Sequence, residues 1–110
     1  MIMNKKLIML LIGVVLISGC IGQTPTSDKD KAISECKQEC KDKLKANLDL
    51  SNGPCLLDPV PNLPDWVCDV AHEPRQSVDN QPENQCSSFR EGKAHHFVEV
   101  DTNCELIRSS

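Results

Sequence analysis

The chain has 110 residues, of which 39% are hydrophobic but only 3% aromatic, and its formal net charge at pH 7 is −4. This length predicts one small domain. With so few large side chains, apolar burial alone does not offset the chain entropy lost on folding, about 1 to 2 kcal/mol per residue, so we expect a further stabiliser. The acidic balance lacks the basic footprint of a nucleic-acid-binding protein, and we therefore expect no nucleic-acid partner.

The beginning of the chain has the layout of a secretory signal peptide. Lys5 and Lys6 precede an apolar run, Leu7 to Ile17, which is followed by two small residues. The run is shorter than the roughly 20 apolar residues that span a bilayer. We predict that residues 1–19 are removed as a signal peptide, and the alternative is an uncleaved single-pass N-terminal helix.

The residues that end this segment, Leu16-Ile17-Ser18-Gly19-Cys20, resemble the lipobox of prokaryotic lipoproteins. The resemblance implies that Cys20 carries a diacylglycerol-type lipid on its sulfur and becomes the new N-terminus after cleavage. Two hydrocarbon chains suffice for stable anchoring, so the protein would lie on the cell membrane, facing outside the cytoplasm. The alternative is an ordinary secreted protein with a chance cysteine near its cleavage site.

Residues 20–30 are polar, contain Pro25 and show no apolar periodicity, which predicts a flexible tether between the lipid and a domain at 31–110. Cleavage after residue 19 would leave ten of the twelve basic residues against sixteen acidic ones. The mature chain would therefore be more acidic than the precursor.

Seven cysteines occur in the chain, and setting Cys20 aside leaves an even six. In a small exported domain an even set predicts three disulfides, here among Cys36, Cys40, Cys55, Cys68, Cys86 and Cys104. A structural zinc site is disfavoured because there is no C-x2-C knuckle, and the same absence disfavours a thioredoxin-like redox site. Disulfides would be the stabiliser that the composition requires.

One helix is predicted near the start of the domain. Ser27 suits the N-cap, acidic residues follow it, and lysines occupy the last turns. Apolar residues recur at spacings of three and four and predict a buried stripe of Ile33, Cys36, Cys40, Leu44 and Leu48. The turn Asn52-Gly53-Pro54 stops the chain from continuing as a helix.

Helix geometry restricts the disulfide pairing. Residues four apart on a helix have Cβ atoms about 5 to 6 Å apart, which is too far for a disulfide, so Cys36 and Cys40 should pair with two different partners. We expect Cys55 to take one of them. Excluding the Cys36–Cys40 bridge removes only three of the 15 pairings that six cysteines allow, so the rest stay open.

Downstream of Cys55 the chain is rich in proline and predicts short elements. Alternation in 66–71 predicts a strand, 82–92 a short helix, and 95–107 two strands around an Asp101-Thr102-Asn103 turn. The expected fold is a small disulfide-rich α+β domain in which one N-terminal helix is stapled to short strands and loops. Trp66 should fill its core, with a recognition platform as the alternative.

Three segments, "GPCLLDPVP", "DWVCDVAHEPRQSVDNQPENQC" and "AHHFVEVDTNCELI", resemble an uncharacterised group of small cysteine-rich secreted proteins from archaea. The resemblance implies no function. It implies an archaeal source, in which case the lipid on Cys20 would be an ether lipid of the cell membrane.

Residues suited to catalysis are sparse. A metal site would have to bring His72 together with His95 or His96, since neighbours on a strand point to opposite faces; solvated or hydrogen-bonded histidines are the alternative. The acidic residues nearest to them in sequence are Asp69, Glu73, Glu91 and Glu99. A calcium site would draw on Asp65, Asp69 and Asp79, which lack EF-hand spacing and should instead be loop-capping acids.

Two function classes are compatible with these residues. The first, which we favour, is a membrane-anchored binding or interaction module, without catalytic residues or cofactor beyond the lipid, for an envelope protein or a small ligand. The second is a small metal-dependent or hydrolytic enzyme that uses His72 with His95 or His96.

Overall fold

The computed structural model describes residues 26–110, which form one main helix packed on a four-stranded sheet with three disulfides. The predicted small disulfide-rich α+β fold is confirmed. The elements are α1 (Asp28–Lys45), β1 (Cys55–Leu57), β2 (Trp66–Val70), two 3₁₀ turns (Ser77–Asn80 and Pro82–Asn84), α2 (Ser87–Arg90), β3 (His96–Val100) and β4 (Leu106–Ser109). The predicted signal peptide, the lipobox with Cys20, and most of the tether lie outside the described residues. Among residues 26–110, no helix combines the length and apolarity that crossing a membrane requires.

Helix α1 begins where its cap was predicted. The Ser27 side chain accepts a hydrogen bond from the Asp30 amide at 3.1 Å, which satisfies one free amide of the first turn. The helix therefore already includes residues 28–30, which the predicted boundary assigned to the tether. Lysines fill its last turn, where they complement the helix dipole.

The buried side of α1 is narrower than the sequence predicted. Ala32, Cys36 and Cys40 are fully buried at a spacing of four, whereas Leu44 and Leu48 are 41% and 51% exposed. The prediction for these two leucines was wrong: Leu44 lies in the last turn of the helix without being buried, and Leu48 lies beyond the helix, which ends at Lys45. Asn47 then adopts a positive φ of 60°, which redirects the chain.

The sheet has the strand order β1-β2-β3-β4, with a parallel central pair between two antiparallel edges. Trp66 to Val70 pairs in register with His96 to Val100. A parallel pair requires a crossover, and the chain between β2 and β3 supplies it with the two 3₁₀ turns and α2. This crossover covers the sheet face opposite α1.

Alternation along the central strands divides the molecule into two sides. The helix face packs α1 against Trp66, Cys68 and Val70 of β2 and Val98 and Val100 of β3. The opposite side chains, which include Val67 and Phe97, pack against Cys86 and Ala94 of the crossover. We call this second side the crossover face.

The three disulfides are Cys36–Cys68, Cys40–Cys104 and Cys55–Cys86. The prediction that Cys36 and Cys40 take different partners is confirmed. The expectation that Cys55 pairs with one of them was wrong, because Cys55 lies on the edge strand β1 and packs on the crossover face, away from α1. Two disulfides therefore staple the helix face and one staples the crossover.

The remaining elements follow the predictions with one exception. The strands around the Asp101 turn are present, and Asp101 Oδ1 accepts hydrogen bonds from the amides of Asn103 and Glu105 at 2.8 and 3.0 Å. The helix predicted for 82–92 is instead a 3₁₀ turn followed by the four-residue α2. Cys86 interrupts it with extended backbone, as its bond to Cys55 holds the chain against the sheet.

Candidate functional site

A half-open cavity of about 450 Å³ lies on the crossover face, between the sheet and the crossover. Pockets of roughly 300 to 1,000 Å³ are the size that small-molecule ligands occupy. The cavity is lined by Val67, Asp69, Arg75, Gln85, Cys86, Phe89, Arg90, Phe97, Glu99 and Arg108.

The floor of this cavity contains a polar row that crosses the sheet. Strand pairing places Asp69 beside Glu99, and Glu99 beside Arg108, so that β2, β3 and β4 each contribute one charged residue. On the other side of Asp69, β1 places Cys55, which bonds to the lining residue Cys86. The pairing of four strands therefore builds the floor from distant parts of the sequence.

Glu99 is the centre of an ion-pair network. Its side chain is only 7% exposed and receives Arg75 Nη1 at 2.9 Å and Arg108 Nε at 3.0 Å. Arg75 is itself held by two further contacts, from Nε to Asn80 Oδ1 at 2.7 Å and from Nη2 to the Asp79 carbonyl at 3.2 Å. The buried charge of Glu99 is thus compensated, and one of its two guanidinium partners is held in place by the crossover.

Asp69 is different, since its Oδ1 is buried and has no hydrogen-bond partner among residues 26–110. Burial raises the pKa of this carboxyl to about 8, the neighbouring carboxylates of Glu99 and Asp79 add to the rise, and Arg75 and Arg108 oppose it. At neutral pH Asp69 is therefore a neutral acid that can donate a hydrogen bond. A buried polar atom without a partner is uncommon in a native fold.

The other end of the cavity is apolar. Phe89 of α2 and Phe97 of β3 meet edge to face, with ring centroids 5.3 Å apart and planes at 75°. Val67 lies beside Phe97 in the pairing of β2 with β3. The cavity thus has a charged end and an aromatic end.

All three arginines of the chain line this cavity, and no lysine between residues 26 and 110 does. The Arg90 side chain makes no hydrogen bond or ion pair within that part of the chain, and Arg108 still has free donors on its guanidinium group. Guanidinium groups bind carboxylates and phosphates through paired N–H donors, which an ammonium group cannot do. Among the residues that line the cavity, three guanidinium groups face the Glu99 carboxylate and Asp69. The Glu73 carboxylate approaches Arg108 at 3.8 Å from outside this lining.

The predicted metal candidate His72 lies beside the cavity and binds a carboxylate. Its Nδ1 is 2.9 Å from Asp79 Oδ1, and the backbone amides of His72 and Gln76 donate to Asp79 Oδ2 at 3.1 and 2.8 Å. Burial tends to raise the pKa of Asp79, but the hydrogen bonds from Gln76 and His72 outweigh it and lower the pKa. Asp79 therefore fixes the loop that carries Arg75.

The other two histidines share a different carboxylate. His95 Nδ1 lies 2.7 Å from Asp65 Oδ1, and His96 Nε2 lies 3.4 Å from Asp65 Oδ2. The hydrogen bond from the His95 side chain is the main cause of the lowered pKa of Asp65. These contacts join the residue before β2 to the start of β3, so the three histidines contact two separate acids.

Trp66 takes the predicted core position. It is 8% exposed and belongs to the cluster under α1, and its ring stacks on His96 with centroids 4.6 Å apart. Little of its surface is left to act as a recognition platform.

In residues 26–110, the potential metal ligands that approach one another closely in a group of three are Cys55, Asp58 and Cys86. The two cysteines are joined in a disulfide, and Asp58 accepts hydrogen bonds from Ser87 Oγ and the Ser88 amide at 3.2 and 3.1 Å. The convergence of His72 with His95 or His96, which the enzyme hypothesis needed, is not found in this part of the chain. The acids considered for calcium, Asp65, Asp69 and Asp79, do not form a group of three potential metal ligands in this part of the chain.

Sequence reasoning named Asp69 and Glu99 but gave neither a shared role, and it missed Arg75, Arg90 and Arg108 entirely. Two signals could have found them. A charged residue interrupts each of the apolar strands "VCDV" and "FVEV", and arginine is rare in a chain that otherwise uses lysine. Comparison with known proteins gave no match among protein-family models, curated proteins or solved structures.

Proposed function

We propose that this protein is an extracytoplasmic lipoprotein that binds a small ligand in the cavity of the crossover face. A lipid on Cys20 would hold the domain at the cell membrane through a short tether. The partner is a small molecule in solution near the membrane surface.

The observation that carries the binding function is the cavity of about 450 Å³ that combines a charged row with two phenylalanine rings. The unpartnered Oδ1 of Asp69, a residue that lines this cavity, supports it. A charged network that served stability alone would be expected to satisfy all its buried atoms. Here Glu99 is fully compensated, while Asp69, one strand away, is left for a further donor or acceptor. The disulfide Cys55–Cys86 supports the proposal because it fixes the cavity wall without a ligand.

Binding can be tested by NMR on the oxidised full chain in zwitterionic nanodiscs, screened with a library of small soluble fragments. We expect hits to shift the amide signals of Val67, Asp69 and Phe97 and to leave those of α1 unchanged. Hits that shift only α1, or a library without hits, would overturn the proposal.

The anchor is supported by the lipobox-like sequence and by three disulfides, which persist in oxidising compartments outside the cytoplasm. We expect Cys20→Ser to remain unlipidated and to leave the membrane fraction or keep its precursor mass. Ser18→Thr is a control that retains the cysteine. Membrane attachment and mass that do not change in Cys20→Ser would indicate an uncleaved helix instead.

A further inference from the structure

We propose that the ligand of this cavity is a small organic anion whose charged group meets Arg90, Arg108 and Asp69 and whose apolar part lies on Phe89 and Phe97. This inference rests on the binding function proposed above and names the chemical class of the ligand.

Free donors determine which ligand charge the cavity can accept. Arg75 already directs its guanidinium group to Glu99, Asn80 and the Asp79 carbonyl. Arg90 has no partner in residues 26–110, and the amino groups of Arg108 have only a 3.8 Å contact with Glu73. Both side chains are exposed, and Arg108 can offer its amino groups while its Nε stays on Glu99, so both guanidinium groups have donors for one anion.

Neither of the two carboxyl groups on the floor, those of Asp69 and Glu99, opposes the binding of an anion. The two arginines that contact Glu99 compensate its charge, and Asp69 is neutral at pH 7 because its pKa is about 8. A cation would have to displace these guanidinium groups and remove the proton from Asp69. An anion instead accepts a hydrogen bond from the acid and adds no unpaired charge to the site.

The aromatic wall determines the rest of the ligand. Phe89 and Phe97 are partly exposed to the cavity, although Phe89 lies on a helix of only four residues. Leaving such a pair open to water is unfavourable, and covering it with an apolar group of the ligand recovers that free energy. A bare inorganic ion would use the arginines and leave this wall uncovered.

Matched probes test the class by NMR titration of the oxidised full chain in zwitterionic nanodiscs at pH 7. The panel is 3-phenylpropionate, its neutral amide, 3-phenylpropylamine, phenyl phosphate and acetate. We expect 3-phenylpropionate to shift the signals of Asp69, Phe89 and Phe97 and to bind about tenfold more tightly than the amide and than acetate. Comparing the affinities of phenyl phosphate and 3-phenylpropionate shows whether the cavity prefers a phosphate or a carboxylate.

Arg90→Gln should weaken 3-phenylpropionate about fivefold and leave the amide unchanged, since one charged hydrogen-bonding group is removed. Lys93→Gln is the matched control. It removes one positive charge only three residues from Arg90, but the Lys93 side chain does not line the cavity. We expect it to change the affinity less than about twofold.

Ionisation of Asp69 gives a second readout. The charged groups that face it are Glu99 on β3, Arg108 on β4, and Arg75 and Asp79 in the crossover. Binding of 3-phenylpropionate should weaken above pH 8 in the wild type, and Asp69→Asn should abolish this dependence while keeping the binding.

The outcomes separate the two proposals. Preference for the amine or the amide at the cavity residues would overturn the anionic class and leave the binding function standing. If none of the five probes shifts the cavity signals, the anionic class is wrong, and hits from the library of small soluble fragments then decide the binding function. Equal loss of affinity in Arg90→Gln and Lys93→Gln would also overturn the class, because the effect would then be one of general charge.

Discussion

The two faces of the sheet are built from the same strands but differ in packing: the helix face is closed by α1, and the crossover face carries a cavity. On the helix face, Cys68 and Val98 are fully buried under α1, and two disulfides close the contact. On the crossover face, the next residues along the strands are Asp69 and Glu99, which line an open cavity. A shift of one residue along a strand thus separates a stabilising surface from the surface that carries the cavity. The comparison indicates that this protein obtains its stability on one side and keeps a charged, incompletely satisfied site on the other.

Removing disulfides should have the largest effect on the free energy of unfolding. It should also show which disulfide supports which face of the sheet. Replacing Cys40 and Cys104 by alanine removes a bond between residues 64 apart in sequence. Replacing Cys55 and Cys86 removes a bond between residues 31 apart. We expect each pair to lower the free energy of unfolding by about 4 kcal/mol in urea titrations followed by circular dichroism. The first change should leave the NMR signals of Asp69 and Phe97 in place, and the second should shift them. Equal shifts in both variants would contradict the division between the faces.

Asp69→Asn should stabilise the protein at neutral pH by roughly 3 kcal/mol. The reference pKa of this carboxyl is 3.8 and its folded value is about 8, so the folded state retains a proton that the unfolded state loses. Stability of the wild type therefore falls as pH rises from about 4 to 8 on account of this group, and the variant should lack that fall. Urea unfolding at pH 4, 6 and 8 measures it.

Asp79→Asn should change the free energy of unfolding at pH 7 in the opposite direction to Asp69→Asn. Hydrogen bonds lower the pKa of Asp79, so its contribution is present above the reference pKa of 3.8 and is lost as pH falls through the folded value. We expect this variant to be destabilised at pH 7. The pH argument for the crossover face fails if both variants change stability in the same direction at pH 7.

Gly53→Ala should destabilise the protein by about 2 kcal/mol, because Gly53 has a positive φ of 65° and a Cβ there would meet the Asp79 carboxylate. Gly92→Ala is the control. Gly92 has a φ of 75° but nothing within 4 Å of a Cβ, so only the backbone strain of about 1 kcal/mol applies. Thermal unfolding of both variants checks the difference, and equal losses would show that the contact with Asp79 is unimportant.

Ser27→Ala should have the smallest effect, a loss of about 1 kcal/mol from the missing N-cap of α1. Because α1 lies on the helix face, the cavity signals should not move. Ser34→Ala, on an exposed position of the same helix, is the control and should be close to neutral. Changes at Asp69 or Phe97 in Ser27→Ala would show that the two faces are coupled through the sheet.

Much of the fold could be predicted because its signals are local. The cap at Ser27, the charges along α1 and the alternation in 66–71 each act within a few residues, and the structure confirms them. Leu44 and Leu48 were misplaced because apolar spacing does not show where tertiary packing ends a helix. The site was harder to predict, since Asp69, Glu99 and Arg108 lie far apart in the chain.

The sequence by itself determined that this is a small α+β domain held by six cysteines, and that Cys36 and Cys40 could not pair with each other, because helix geometry is set by neighbouring residues. Only the tertiary structure decided that Cys55 joins Cys86, and that Asp69 and Glu99 line one cavity with three arginines. These contacts follow from the parallel pairing of β2 with β3 and from the path of the crossover. Contacts between residues so far apart in sequence depend on the packing of the whole domain and on the entropy of closing the loops between them. No short stretch of sequence encodes that balance.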